Sequence, residues 1–307
     1  MKIGFIKLGL KTYFKDGKNS PQGSNHELVS IFEIFTNKGH DCYMISNSDD
    51  EYFYKPVKYM NNTFDYIFVF NGFAPKTLAK TNMNMLKQPI EMMKIVNKFK
   101  GPWAYFWTDV RYNPDNLPIT NKNRIILSQE PVHYGHLDKL ILYKKKIREY
   151  VDKTIKFSIL MNYTEPKRAK NALEIVKLMD KSLIMGDWKN KTNEWIGRQL
   201  PFNEVPIYLD GVKYSWNQTT HPDWVSQKFW EMVMSNVVCL HYKTDLSSLV
   251  VPATLHLAEM ADLKKTIDFY ETDEHAYLLT LKLQRELVLP EYLNGDFIYN
   301  IIMKKIK

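Results

Sequence analysis

Cysteine is nearly absent: Cys42 and Cys239 are the only two in 307 residues. They are far apart and each sits in an apolar run, where a buried free thiol is the ordinary outcome. No CxxC pair and no Cys/His spacing suited to zinc occurs, which argues against a disulfide framework or a structural zinc and fits a reducing cytoplasm. Long apolar runs are missing too. No window approaches the ~20 residues of a bilayer-spanning helix, and the N-terminus, MKIGFIKLGL, turns polar too soon for a secretory signal. A soluble, cytoplasmic protein with no membrane partner is therefore expected. Several catalytic signatures are lacking as well. There is no GxGxxG and no GxxxxGK[ST], and no GxSxG or Ser/His/Asp order. His133, His136 and His221 lack carboxylates at metal-site spacing, so no metal ligand is assigned. Neither a short-period repeat nor a low-complexity linker appears.

What is present describes an ordinary globular chain, 45% hydrophobic and 25% charged. Its length is generous for one core and suits two domains. Aromatics reach 14%, with 19 Tyr and 7 Trp; most serve cores, and some are available to stack on a base or a sugar. The net charge is +8. An excess of cations suits a polyanionic partner, yet a Lys- and Asn-rich composition is also what an AT-rich genome produces.

Apolar periodicity alternates between strand and helix. Strands are expected at 2–8, 41–46, 65–70, in GPWAYFWTD ending at Asp109, and at 124–128. Helices are expected at 26–38, closed by Gly39, and at about 86–99. A second βα series begins near Lys153, with strands at 155–161, 182–185 and 237–242. Helices at about 167–180 and 224–235 accompany them, and one or two more at 274–307. The segment 187–204 reads as loop or short helix. The repeating βα order predicts an α/β fold with parallel sheets covered by helices on both faces. Ligands in such sheets bind beyond the carboxyl ends of the strands. The residues there are Lys7 to Leu10, Asn71, Asp109 to Arg111, Asn162 to Arg168, and Gly186-Asp187.

Four constellations carry chemistry, each with a plainer alternative. In WTDVR, Asp109 ends an apolar strand, where a carboxylate can take a proton from a hydroxyl; it is equally placed to cap a helix or pair with Arg111. Glu27 lies in the first turn of a helix, where the dipole favours a carboxylate in any case. NYTEPKR, residues 162 to 168, links a strand to a helix whose first turn carries Lys167 and Arg168. Helix N-termini and basic side chains bind phosphate, although Pro166 at the start is common helix chemistry. In KFWEMVMS, Glu231 stands where a carboxylate can accept two hydrogen bonds from a ribose diol, or face solvent on an amphipathic helix.

Taken in order, these segments resemble the DNA β-glucosyltransferases of T-even phages, which move glucose from UDP-glucose to 5-hydroxymethylcytosine in duplex DNA. The likeness runs through MKIGFIKLGL, SNHELVSIFEIFTNKGHDCYMIS, DYIFVFN, YFWTDVR, the Ser128-Gln129 pair, the turn at Gly186, FWEMVMSNVVCL, IDFY and the terminal helices. It covers most of the chain at low identity, and WTDVR and WEMVMSNVVCL are its most specific parts. The resemblance implies a GT-B fold, two Rossmann-like domains with a cleft between them. Residues 1–152 would bind the acceptor, 153–285 the nucleotide sugar, and 286–307 would cross back to the first domain. By the same resemblance Asp109 is the general base. Glu27, Asn71 and Arg111 would serve the acceptor, and Asn162, Arg168, Gly186, Lys228 and Glu231 the donor. A divalent metal is compatible with such a donor, but no motif requires one.

The chain departs from the family in two places. The family's Gly-Gly-Ser turn is Met161-Asn162-Tyr163 here, with Thr164 at a phosphate-contacting arginine's position. Between Tyr208 and His221 the chain is about fifteen residues shorter, and no strand can be placed there. The implied reaction is an inverting transfer from UDP-glucose, or another nucleotide sugar, to the hydroxyl of a 5-hydroxymethylpyrimidine. The partner would be double-stranded DNA in a phage-infected cell, the base would be flipped out, and the enzyme would act as a monomer. Arg111, Arg124 and the 144–148 run would hold DNA phosphates, unless that run is a solvated face. Two rivals share the scaffold: a glycosyltransferase with a non-DNA acceptor, and a non-enzymatic DNA-binding protein.

Overall fold

The structure, a computed structural model, describes residues 1–7, 24–45, 56–57, 63–70, 83–107, 115, 117–128, 137–163, 166–180, 182–188, 194–201, 203–218, 225–242, 256–257 and 261–306. Asp109, Asn71 and Arg111 lie outside these residues, as do Thr164 and His133, His136 and His221. The chain forms two compact units, Met1–Tyr143 with Asn294–Lys307, and Lys144–Leu293.

The first unit is built on β1 (Lys2–Lys7), β2 (Asp41–Ile45), β3 (Pro56–Val57), β4 (Tyr66–Phe70), β5 (Trp103–Trp107) and β6 (Arg124–Ser128). They form one sheet in the order β3-β2-β1-β4-β5-β6, and every neighbouring pair is parallel. This is the Rossmann order, with its switch point between β1 and β4. Strands buried on both faces have no solvent side to alternate towards. That is why YIFVF and WAYFW are continuous apolar runs, with all five residues of β4 buried.

Two helices cover the two faces. α1 (Ser24–Asn37) lays Leu28, Ile31, Phe32 and Phe35 on Ile3, Phe5, Phe68 and Phe70. α2 (Met83–Lys98) lays Met92, Met93 and Val96 on Ile6, Ile67, Val69 and Trp103. Phe68 meets Phe5, Phe35 and Phe106 edge-on at 5.0–5.4 Å between ring centroids, so losing its ring would cost about 3–5 kcal/mol. Gly39 closes α1 at φ +81°, a conformation that penalises a Cβ. Ile298 and Ile302 of the terminal helix, Asp296–Ile306, join the cluster on the α1 face.

The second unit holds β7 (Ile155–Leu160), β8 (Leu183–Met185), β9 (Val212–Asn217), β10 (Val238–Tyr242) and β11 (His256–Leu257). Their order is β11-β10-β9-β7-β8, again all parallel. Its switch point falls between β7 and β9. The helices are α3 (Pro166–Leu178), α4 (Val205–Asp210), α5 (Gln227–Met234), α6 (Asp262–Thr272), α7 (Glu274–Glu286) and α8 (Pro290–Leu293), before the terminal helix α9.

Two sequence expectations need correction here. A strand, β9, does occupy the region between Tyr208 and His221 where none could be placed. Its polar residues hid it. Ser215 is fully buried and its hydroxyl donates to the Ser158 carbonyl at 2.6 Å, so a position that reads as solvent-facing lies inside the sheet. The C-terminal stretch 274–307 holds three helices, α7 to α9, where one or two were expected. Asp273 supplies a cap, its carboxylate accepting from the Ala276 N–H at 2.9 Å. Among the described residues no helix is long and apolar enough to cross a membrane.

Candidate functional site

The carboxyl edge of β7 gathers most of the donor-site residues expected from sequence. Beyond Leu160 the chain turns through Met161, Asn162 and Tyr163 before α3, and β8 runs alongside and turns at Gly186. The two turns are bonded together. The Met161 N–H donates to the Met185 carbonyl and the Tyr163 N–H to the Asp187 carbonyl, both at 2.9 Å. The Asn162 Oδ1 accepts from the Asp187 N–H at 2.9 Å. The Trp188 indole N–H donates to the Met161 carbonyl at 2.7 Å, and the Trp188 ring meets Tyr163 edge-on at 5.4 Å.

Gly186 is required at this contact. A Cβ there would lie 2.1 Å from the Met161 carbonyl oxygen and 3.0 Å from the Asn162 Oδ1. The Met161 carbonyl is backbone, so it cannot swing aside like the end of a long side chain.

Three charged side chains converge on the same edge. Arg168, in the first turn of α3, donates from Nε to the Met161 sulfur at 2.9 Å. Lys228 comes from α5, whose N-cap Ser226 accepts from the Lys228 N–H at 3.2 Å. Its Nζ donates to the Leu160 carbonyl, the last of β7, at 3.1 Å. Burial pushes the Lys228 ammonium down to about 8, and the Arg168 charge pushes the same way against the pull of Glu231. Burial thus disfavours the positive charge, and a nearby anion would favour it. Glu231, one turn along α5, has its carboxyl raised by burial, while Lys228 and Lys145 draw it down. Among the described residues no group of three or more His, Cys, Asp or Glu comes together that could hold a metal ion. Among the described residues the cationic side chains at this edge are Arg168 and Lys228, with Lys145 acting on Glu231.

The first unit has a smaller cluster at its own switch point. Lys7 is the last residue of β1 and pairs in register with Phe70, the last of β4. Glu27, in the first turn of α1, is only 4% exposed. Burial lowers the Lys7 ammonium to about 8, and the Glu27 charge pulls it back up. Arg124 is not part of this cluster: it starts β6, at the amino edge of the sheet, and is ion-paired with Asp115. Sequence reading placed Lys7 only among the strand ends and Lys145 only in the 144–148 run; it missed that Lys145 acts on Glu231 and that Arg168 contacts Met161. A lysine ending an otherwise apolar strand was the available signal for Lys7. Nothing in the sequence announces the other two.

This architecture, two parallel-sheet units each with a polar switch point, matches the GT-B fold. The chain matches no protein-family model and no curated protein. Among solved structures it is similar to a DNA-modifying β-glucosyltransferase studied with and without uridine diphosphoglucose. The TM-score is 0.75 at 15% identity, over 100% of this chain and 99% of that one. It is also similar to the T4 phage β-glucosyltransferase bound to UDP and Mn2+, with a TM-score of 0.71 at 14% identity and full coverage of both chains. HepE from Anabaena in complex with UDP-glucose gives 0.67 at 10% identity, covering 99% of each chain.

Proposed function

We propose that this protein is an inverting glycosyltransferase that moves glucose from UDP-glucose to the hydroxyl of a 5-hydroxymethylpyrimidine in double-stranded DNA. The observation that carries this reading is the pair of cations, Arg168 and Lys228, held at the carboxyl edge of β7 in a GT-B fold. Two positive groups forced together by burial suit a diphosphate leaving group. Glu231, one turn from Lys228, suits the ribose diol, and the close-packed turn at Gly186 shapes one wall of the donor site. Likeness to structures that carry UDP-glucose supports the donor, and likeness to a DNA-modifying enzyme supports the acceptor.

The first unit would hold the acceptor base, flipped out of the duplex, with Glu27, Asn71 and Arg111 around it. Asp109 takes the proton from the hydroxymethyl group. That oxygen bonds to the anomeric carbon on the face opposite the diphosphate, the bond to the diphosphate oxygen breaks, and the nucleoside diphosphate departs with its charge met by Arg168 and Lys228. A divalent cation, if bound, would neutralise further charge on the diphosphate.

A second reading keeps the donor and changes the acceptor. The likeness to HepE, named with UDP-glucose and not with DNA, favours a glycosyltransferase acting on something other than DNA. One experiment separates the two. A panel of nucleotide sugars is incubated with duplexes carrying 5-hydroxymethylcytosine, 5-hydroxymethyluracil or neither, and the digested nucleosides are weighed by mass spectrometry. A hexose added to a modified nucleoside establishes the first reading. Calorimetric binding of UDP-glucose with no transfer to any duplex removes the first reading and leaves the second, which transfer to a non-DNA acceptor would then establish.

A further inference from the structure

We propose that Lys7 is a positioning residue for the acceptor: paired with Glu27, it keeps that carboxylate ionised as a hydrogen-bond acceptor for the exocyclic amine of a cytosine-type base, and so decides which modified pyrimidine is taken. The inference rests on the acceptor role given to the first unit above.

The placement follows from strand and helix geometry. Successive side chains of a strand alternate faces, so Lys7 continues the side of β1 that carries Ile3 and Phe5. That side faces α1, since the Phe5 ring packs on Phe32 at 4.9 Å between centroids. α1 leads into β2 at the amino edge of the sheet, where the Asp41 N–H donates to the Met1 carbonyl at 2.9 Å. Its first turn therefore covers the carboxyl edge. Glu27 lies there, in line with Ile31 and Ile34 on the buried stripe of the helix. The two charges thus meet at the switch point, where open parallel sheets take their ligands.

A purely structural role explains the pair poorly. A buried ion pair contributes little net stability compared with apolar side chains in its place, and α1 is already held by Leu28, Ile31, Phe32 and Phe35. What the pair supplies is a carboxylate beside a cation, and a nearby opposite charge favours the ionised form. An ionised carboxylate only accepts hydrogen bonds, whereas a protonated carboxyl or an amide also donates. Cytosine-type bases present an amine donor where uracil-type bases present a carbonyl acceptor. Ionised Glu27 attracts the first and repels the second. The desolvation that lowers Lys7 towards 8 strengthens this attraction at the same place.

The test is kcat/KM with UDP-glucose on duplexes carrying 5-hydroxymethylcytosine or 5-hydroxymethyluracil, for the parent, Lys7→Met, Lys7→Arg and Glu27→Gln. Thermal unfolding by circular dichroism serves as the folding control. The parent should prefer the cytosine-type duplex by roughly tenfold or more, the effect of about one pKa unit of differential interaction. Lys7→Met and Glu27→Gln should lose most of that preference while the KM for UDP-glucose stays within about twofold, as expected for a group acting only on the acceptor. Lys7→Arg should retain it. A parent without preference, or a folded Lys7→Met that slows equally on both duplexes, overturns the inference and leaves the proposed reaction intact. A parent inactive on both duplexes overturns the reaction and the inference together. If Lys7→Met does not fold, Lys7→Arg and Glu27→Gln decide the matter by the same ratio.

Discussion

Each unit places a lysine at the carboxyl edge of its sheet, Lys7 in the first and Lys228 in the second, and burial pushes both down to about 8. Each has a glutamate beside it, Glu27 or Glu231. Their company differs in one respect. Lys228 also feels Arg168, and Lys145 acts on Glu231 as well, so three cations stand around one carboxylate whose own charge is disfavoured by burial, whereas at the first site the Glu27 charge pulls the Lys7 ammonium back up. Among the described residues the second site carries positive charge in excess, which suits the anionic leaving group of the proposed reaction. Among the described residues at the first, one cation stands with one carboxylate. The same fold principle thus yields two sites of different electrostatic character, and the division of labour proposed above follows that difference.

The strongest way to break this comparison is to remove chemistry from the first unit while leaving binding in the second. Asp109→Ala should lower transfer by about 10²–10⁴-fold, the usual contribution of a general base. Calorimetric affinity for UDP-glucose should stay within about twofold, and a mutant with parental turnover would refute the assigned base. Next in size is the cation pair. Arg168→Met or Lys228→Met should each weaken UDP-glucose binding by roughly 10- to 100-fold, the worth of a hydrogen bond to a charged group, with little effect on affinity for a modified duplex. Equal losses on both ligands would erase the distinction between the units.

A smaller effect concerns pH. Binding an anion raises the Lys228 pKa above its free value of about 8, so the complex takes up a proton. Donor affinity should be full below pH 8 and fall as pH rises from there towards the bound pKa, by at most about tenfold per unit. Lys228→Arg should flatten the profile measured by calorimetry between pH 7 and about 9.5, because arginine stays charged throughout. The smallest effect concerns Gly186→Ala. Its methyl would collide with the Met161 carbonyl, so stability should drop by about 1–3 kcal/mol, read as a lower Tm. Donor affinity should suffer with it, since the turn that carries Asn162 must move.

Much of the first unit was legible in its sequence. Strands such as YIFVF and WAYFW, buried on both faces, can be read directly as apolar runs, and α1 shows its buried stripe in the spacing of Leu28, Ile31, Phe32 and Phe35. The second unit was harder. β9 mixes buried Tyr214 and Trp216 with Ser215 and Asn217, both nearly inaccessible. Polar atoms placed inside a sheet break the pattern on which strand reading depends. Of the candidate residues, Asn162, Arg168 and Gly186 could be picked out from their place just beyond strand ends, because parallel βα repeats leave few other places for a ligand; Glu27 and Glu231 were picked out on helices, and Lys228 only through the resemblance.

By itself, the sequence determined the alternation of strands and helices, the parallel class of the sheets, and the candidates Glu27, Arg168 and Glu231, since these depend on local periodicity and position along an element; Lys228 entered only through the resemblance. Tertiary structure decided what periodicity cannot encode. It set the strand orders that create the two switch points, the contact that only Gly186 allows, and the meeting of Lys228 with the end of β7. It also put Lys7 against Glu27. Those outcomes depend on which distant segments share a dry interior, because a charge acquires its character from neighbours the chain supplies only once it has folded.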